Sequence, residues 1–94
     1  MKPVVFTRHA RQRLAERRTT EEEVIQAIRD APRVRMDRGR YAATKWYAFG
    51  QEHEGSFYAG KDVRPIFVDE AERVVVVTLY VYFKIGRASC RERV

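Results

Sequence analysis

Cysteine is almost missing from this chain. The only one is Cys90, and a lone thiol excludes an intrachain disulfide or a cysteine metal site. Histidine is nearly as scarce, His9 and His53 being the pair. Their spacing matches no metal-ligand pattern, so no metal is expected. The five glycines and three prolines fall outside any G-x-G-x-x-G, P-loop or nucleophile-elbow arrangement, which disfavours nucleotide cofactors and the common hydrolases. No cofactor is expected. Long apolar runs are also lacking: the longest, Val74 to Phe83, contains Thr78, Tyr80 and Tyr82, far short of the roughly 20 apolar residues that span a bilayer. MKPVVFTRHARQ at the start has no apolar segment followed by small residues. The expectation is a cytoplasmic protein with no membrane partner.

What is present suits one small domain. Apolar residues make up 45% and aromatics 12%, enough for a single layer of helix on sheet in a chain of this length. The formal charge of +6 is placed unevenly: residues 1–40 hold 11 Lys/Arg against 6 Asp/Glu, and residues 41–84 hold 5 against 6. A basic first half favours an anionic partner, nucleic acid before membrane. The same surface also reads as a solvated basic face.

The final stretch, KIGRASCRERV, is Arg-rich and aperiodic and matches the in-frame translation of a sequencing-library adapter. The reading therefore expects a domain over residues 1–84 and a non-native tail over 85–94. Without that tail the chain carries 16 basic and 12 acidic residues, net +4, and Cys90 drops out.

Along the chain, Val4 to Phe6 can form an edge strand, after which Thr7 can cap a first helix. On that helix Ala10 and Leu14 make a narrow apolar stripe, bordered by His9, Arg13 and Arg17 on one side and Arg11 and Arg18 on the other. Thr20 with Glu21, Glu22 and Glu23 has capping-box spacing, and Val24, Ala27, Ile28 and Ala31 share a face until Pro32 ends the second helix. From Arg33 the period changes to that of strands. Arg33 to Met36 and Tyr41 to Phe49 flank a hairpin turn at Asp37 to Arg40, Gly50 to Gly55 reads as a polar loop, and Ser56 to Lys61 as a short strand. Pro65 within Val63 to Val68 places that strand at an edge or a bulge.

Val74 to Phe83 reads as a central strand. Val75, Val77, Leu79, Val81 and Phe83 would face the helices, and Val76, Thr78, Tyr80 and Tyr82 the other side. Two registers close the last hairpin. Pairing Val68 with Val74 puts Arg64 beside Thr78 on the tyrosine face and Phe67 in the core. Pairing Val68 with Arg73 turns Arg64 toward the helices and Ile66 inward. The first is preferred, because burying an unpaired arginine costs several kcal/mol.

The pieces FTRHARQRLAERR, TTEEEVIQAI and RVVVVTLY, spread over residues 4–83, resemble the family called domain of unknown function 4258. That family looks related to the RelE and ParE superfamily of toxins. The resemblance implies an α+β fold in βααβββ order, with two N-terminal helices packed on one face of an antiparallel sheet. RelE-type toxins are metal-independent endoribonucleases that cut messenger RNA on the ribosome and are neutralised by an acidic antitoxin; ParE-type relatives act on DNA gyrase. The chain departs from the pattern where many relatives carry Gly-Ile-Ser between the helices and this one has Arg18-Thr19-Thr20. Tyr41 to Lys61 is longer and more aromatic than a simple hairpin needs. The resemblance carries over no complete catalytic set.

Metal-free RNA cleavage needs a base, an acid and cations around the phosphate. His9 is the candidate base, with Arg13 one turn on to hold a phosphate. A histidine at a helix start equally serves to hydrogen-bond the neighbouring strand. Arg64 with Tyr80 and Tyr82 forms a second constellation, a cation between phenols on an open sheet face, although tyrosines also simply finish half-buried strands. Arg11, Arg17, Arg38 and Arg40 are candidate phosphate contacts. His53 reads as a solvated loop residue, and core filling accounts for at least one of Trp46 and Tyr47. The function expected is a toxin-type endoribonuclease acting on RNA or the ribosome and held by an acidic antitoxin. The alternatives are a non-catalytic module binding nucleic acid or protein, or a topoisomerase inhibitor.

Overall fold

Two threonines start the two helices. In the computed structural model, which describes residues 2–84, strand β1 (Val4–Phe6) runs into α1 (Arg8–Glu16), followed by α2 (Glu21–Asp30). The Thr7 hydroxyl accepts from Ala10 N–H at 3.1 Å and donates to the Val77 carbonyl at 3.0 Å, so one side chain both caps α1 and ties it to the last strand. Thr20 accepts from Glu23 N–H at 3.1 Å, and the Thr20 backbone in turn bonds the Glu23 carboxylate, completing the capping box. Ala31 is already extended, with ψ 151°, ahead of Pro32. Residues 85–94, the expected tail with Cys90, lie outside the described residues.

The turn between the helices does what a glycine ordinarily does. Thr19 N–H bonds Leu14 C=O at 3.1 Å and Arg18 N–H bonds Ala15 C=O at 3.3 Å, the paired bonds of a Schellman motif. Arg18 occupies its left-handed position with φ 57°. The strain is offset by side-chain contacts: its guanidinium donates to Gln51 Oε1 at 2.8 Å and lies 5.5 Å from the centre of the Phe49 ring. Arg18→Gly and Arg18→Ala both remove those contacts, but only glycine relieves the backbone. Urea unfolding should therefore find the glycine variant more stable than the alanine one by about 1 kcal/mol.

Five strands follow the helices: β2 (Arg33–Arg35), β3 (Arg40–Ala43), β4 (Lys45–His53), β5 (Ser56–Asp69) and β6 (Val74–Lys84). The order β1-β6-β5-β3-β2, with β4 also paired to β5, gives one six-stranded sheet. It differs from the expected βααβββ antiparallel layout in two ways. Five strands follow the helices rather than three, and the sheet is mixed because β1 is parallel to β6. Two helices and four strands separate β1 from β6, a connection long enough for parallel pairing, which a tight hairpin is not.

β5, not β6, is the central strand. It pairs with β6 on one side and with β3 and β4 on the other, so Pro65 lies inside a central strand and not at an edge. The missing N–H is accommodated because Thr44 interrupts the neighbouring strand there: Ala42 pairs with Ile66 and Lys45 with Val63, leaving the gap beside Pro65. GQEHEG is not a loop. β4 continues through it to a two-residue turn at Glu54 and Gly55, with φ 52° and 88°, values of a type I′ hairpin. Gly50, at φ 61°, sits in the shift of register between Ala48 and Gln51.

A second irregularity decides which face is which. Phe67 pairs with Val76 but Ile66 pairs with Thr78, so Val77 is an inserted residue, and an insertion reverses the alternation beyond it. Val74 and Val76 therefore join Leu79 in the core with Phe67, Val63, Ala10, Val24 and Ile28; Val75 does not, and the expected all-odd apolar face holds only past the bulge. Val68 pairs with Val75, which is neither expected register. Two consequences of the preferred one hold, Phe67 being fully buried and Arg64 lying on the tyrosine face, but its partner is Tyr80 and not Thr78, which pairs with Ile66.

The helices are also held by a polar cluster on the same face. Lys61, only 4% exposed, donates to Arg18 C=O at 2.6 Å and to Glu23 Oε1 at 2.9 Å. Thr19 donates to the same carboxylate oxygen at 2.7 Å. Tyr47 donates to Glu23 C=O at 2.8 Å, and burial, with the charges of Glu23 and Asp30 nearby, pushes its phenol up to about 12. Tyr47 is thus the aromatic that fills the core side.

Candidate nucleic-acid site on the uncovered sheet face

Helices cover one face of the sheet only. The rows of the other face follow from the register: Arg40 beside Val68 and Val75, then Ala42 beside Ile66 and Thr78, then Arg64 beside Tyr80, then Trp46 beside Asp62 and Tyr82. Tyr80 and Tyr82 are 45% and 48% exposed, large aromatic side chains left in water on a face no helix protects.

A cleft of about 310 Å³ opens on this face between the β2–β3 turn and β6. Ile66 forms an apolar floor with Met36, and Arg38, Arg40, Thr78 and Tyr80 form the walls, with Asp37 the one acid. Arg38 is aimed by its backbone, which is left-handed at φ 64° ahead of Gly39 at φ 71°. Met36 N–H bonds Arg40 C=O at 2.8 Å and closes the turn.

Thr78 links this cleft to the first helix. His9 Nε2 lies 3.1 Å from Thr78 Oγ1, and Arg13 Nε–H donates to the same ring nitrogen at 3.4 Å. With Arg13 donating, Nε2 is the acceptor and the Thr78 hydroxyl donates as well, so the neutral ring carries its proton on Nδ1. The insertion at Val77 is what brings this about: it places Thr78 on the uncovered face beside the start of α1. The His9–Thr78 bond is also the tie to the neighbouring strand that a histidine at a helix start was expected to make.

The structure therefore places Arg38, Arg40 and Tyr80 in the cleft, links His9 and Arg13 to it through Thr78 and Arg64 through Tyr80, and leaves Arg11 and Arg17 elsewhere. Arg11 pairs with Glu21 at 2.5 Å and lies over the Phe6 ring; Arg17 is the C-terminal cap of α1, at its far end from His9. Ion pairing separates the arginines further. Arg13 is bound to Glu16 at 2.6 Å, Arg33 to Asp69 at 2.8 Å and Arg73 to Glu70 at 2.8 Å. Arg38, Arg40 and Arg64 have no acidic partner among the described residues, so their charge is available to a ligand.

Three participants escaped the sequence reading. Thr78 looked like a polar interruption of an apolar strand and Met36 a strand end; of Trp46 and Tyr47 at least one was expected to fill the core, and it is Tyr47 that does, Trp46 being 40% exposed. His53 was missed in the opposite sense: it stacks on Phe83 at 4.3 Å and is not a solvated loop residue. Among the described residues no three His, Cys, Asp or Glu side chains are grouped as a metal site needs, and no helix is long and apolar enough to cross a membrane.

Comparison with protein-family models, with curated proteins and with solved structures found no match to this chain.

Proposed function

We propose that the cleft on the uncovered face binds single-stranded RNA and cuts it without a metal ion, in the manner of the RelE-type toxins the sequence resembles. The observation that carries the reading is the position of Thr78, which joins His9 to a cleft walled by Tyr80 and by arginines with no acidic partner among the described residues. A ribose 2′-hydroxyl takes the place of the Thr78 hydroxyl at His9 Nε2 and gives up its proton there as its oxygen attacks the adjacent phosphorus. The bond from phosphorus to the 5′-oxygen breaks, and Tyr80 supplies the proton that the leaving oxygen needs. Arg38, Arg40 and Arg64 oppose the charge that builds on the phosphate. The products are a 2′,3′-cyclic phosphate and a 5′-hydroxyl. The setting proposed is the cytoplasm, with an acidic antitoxin chain covering the basic cleft.

A second reading has an observation of its own: His9 Nε2 is occupied by both Thr78 and Arg13, as a purely structural tie would be. On that reading the same face binds nucleic acid without cutting it.

Purified protein incubated with RNA and excess chelator separates the two. The expected result is fragments ending in cyclic phosphate, and none from an oligonucleotide with 2′-deoxyribose at the cut position. Intact RNA in both that assay and a ribosome-bound assay rejects the nuclease and leaves the binding module. Induced expression should arrest growth, and co-expression of an acidic antitoxin should restore it.

A further inference from the structure

Beyond the cleft, the uncovered face changes from cationic to aromatic. Tyr80 and Tyr82 have ring centroids 6.5 Å apart and planes 22° from parallel. That centroid spacing is close to twice the roughly 3.4 Å rise between stacked bases, the spacing that seating a planar base between the two rings requires. Two strands across from Tyr82, Trp46 covers Gly60 so closely that a Cβ there would fall 2.2 Å from the indole. Glycine at this point lets the indole lie against the sheet. The ring gains a fixed seat and keeps its outer surface in water.

The charges beside these rings suit a strand of phosphates. Arg64 stands in the Tyr80 row, next to the Trp46 row, on the side of the face that leads toward Arg38 and Arg40. Asp62, the one acid in the Trp46 row, has Lys84 at 3.7 Å and is neutralised. The face offers ring surfaces and few hydrogen-bonding groups for base edges. Such a surface recognises unpaired bases by stacking and does not read a duplex.

We propose that Trp46, Tyr80 and Tyr82 form a base-stacking platform for a single-stranded nucleic acid, whose phosphates pass Arg64 into the cleft. The inference rests on the nucleic-acid reading of that cleft and deepens it by specifying an unpaired strand and a site several nucleotides long. A base seats between the two tyrosines, and a further base stacks on the indole.

The test uses the full chain and a single-stranded oligodeoxythymidylate, which has no 2′-hydroxyl and cannot be cut. Trp46 is the only tryptophan, so its emission reports on the platform directly. Saturable quenching is expected, weakened by salt, with a duplex of the same length binding at least about tenfold more weakly. Tyr82→Ala should weaken binding roughly tenfold and Tyr82→Phe should restore it. Arg64→Gln should lower the salt dependence by about one phosphate contact. Gly60→Ala should shift the emission of the free protein by unseating the indole, and should reduce the quenching.

Binding without a response from Trp46 and without an effect of Tyr82→Ala overturns the platform. So does a preference for duplex, absence of binding, or self-association that covers Trp46. Quenching by the deoxyoligonucleotide with no cleavage of RNA rejects the nuclease and upholds the platform; cleavage of RNA without a Trp46 response does the reverse.

Discussion

His9→Ala should slow RNA cleavage by about 10²–10⁴-fold, the usual contribution of a positioned general base. The structural cost should stay near 1 kcal/mol, because the variant loses only the bonds that Thr78 at 3.1 Å and Arg13 at 3.4 Å donate to an exposed ring, and the net value of such bonds is small. His9→Gln sharpens the test. A glutamine retains a side chain able to bond Thr78 but does not accept a proton at neutral pH. If the ring acts in proton transfer, both variants lose cleavage alike, whatever their stability. If it acts only as a tie between α1 and β6, glutamine restores what alanine loses. Single-turnover cleavage with RNA in excess over its dissociation constant, together with urea unfolding of each variant, distinguishes these results.

The largest effect on stability is expected from Lys61→Met, which keeps the length of the side chain and removes its charge. The change leaves Arg18 C=O without its partner and Glu23 without its counter-ion. Removing one member of a fully buried pair costs roughly 3–5 kcal/mol. Glu23 retains 26% of its side-chain surface, so about 2–3 kcal/mol is expected here, a large share of the stability of a small domain. Adding Glu23→Gln should recover part of it, since the amide oxygen still accepts from Thr19.

The acid limb of the stability curve gives an independent measure. Burial pushes the Glu23 carboxyl up, but hydrogen bonds from Lys61 and Thr19 and the charge of Lys61 outweigh it and hold the group below its ordinary value of 4.5. A carboxyl depressed in the folded state contributes stability above its unfolded pKa and loses it as pH falls through the folded one. Asp69 adds to the same limb, because hydrogen bonds from Lys2 and Arg33 hold it low as well. Subtracting the Lys61→Met curve from that of the unaltered protein isolates Glu23: the difference should be constant above pH 5 and shrink below it.

The helices were legible in the residues because their signals are local. Thr7 and Thr20 cap where their spacing to later N–H groups requires, and Pro32 stops α2. The sheet was legible in kind but not in arrangement. The alternation from Val74 to Phe83 counts correctly only if no residue is inserted, and Val77 announces nothing: a fourth valine in a row has no side-chain signal for a bulge. The same holds for Pro65, whose tolerance in a central strand depends on a gap at Thr44 in another strand. Which of Trp46 and Tyr47 faces water was not legible for a similar reason. The indole of Trp46 lies over Gly60, its diagonal neighbour across the β4–β5 pair, in a register that follows from the Glu54–Gly55 turn and the bulge at Gly50, which the polar stretch GQEHEG disguised.

The site residues divide along the same line. Arginines could be named as cations from the sequence, but not which of them spend their charge inside the protein. Arg13 finds an acid on its own helix and Arg11 one at the start of the next, while Arg38, Arg40 and Arg64 have none among the described residues, and that distinction exists only after folding. His9 was a candidate for its chemistry alone; Thr78, which connects it to the cleft, became visible with the bulge.

β1 is only three residues long, and it is fastened to residues about 70 positions later, through Val4 beside Val74, Thr7 to Val77 and His9 to Thr78. Contacts so distant in sequence close late and slow the search for the native state. A nascent chain therefore forms α1 and α2 long before anything holds His9 in place, and the cleft is assembled by the last strand to be made. A translation product interrupted before β6 would carry every arginine of the helices and neither Thr78 nor Tyr80.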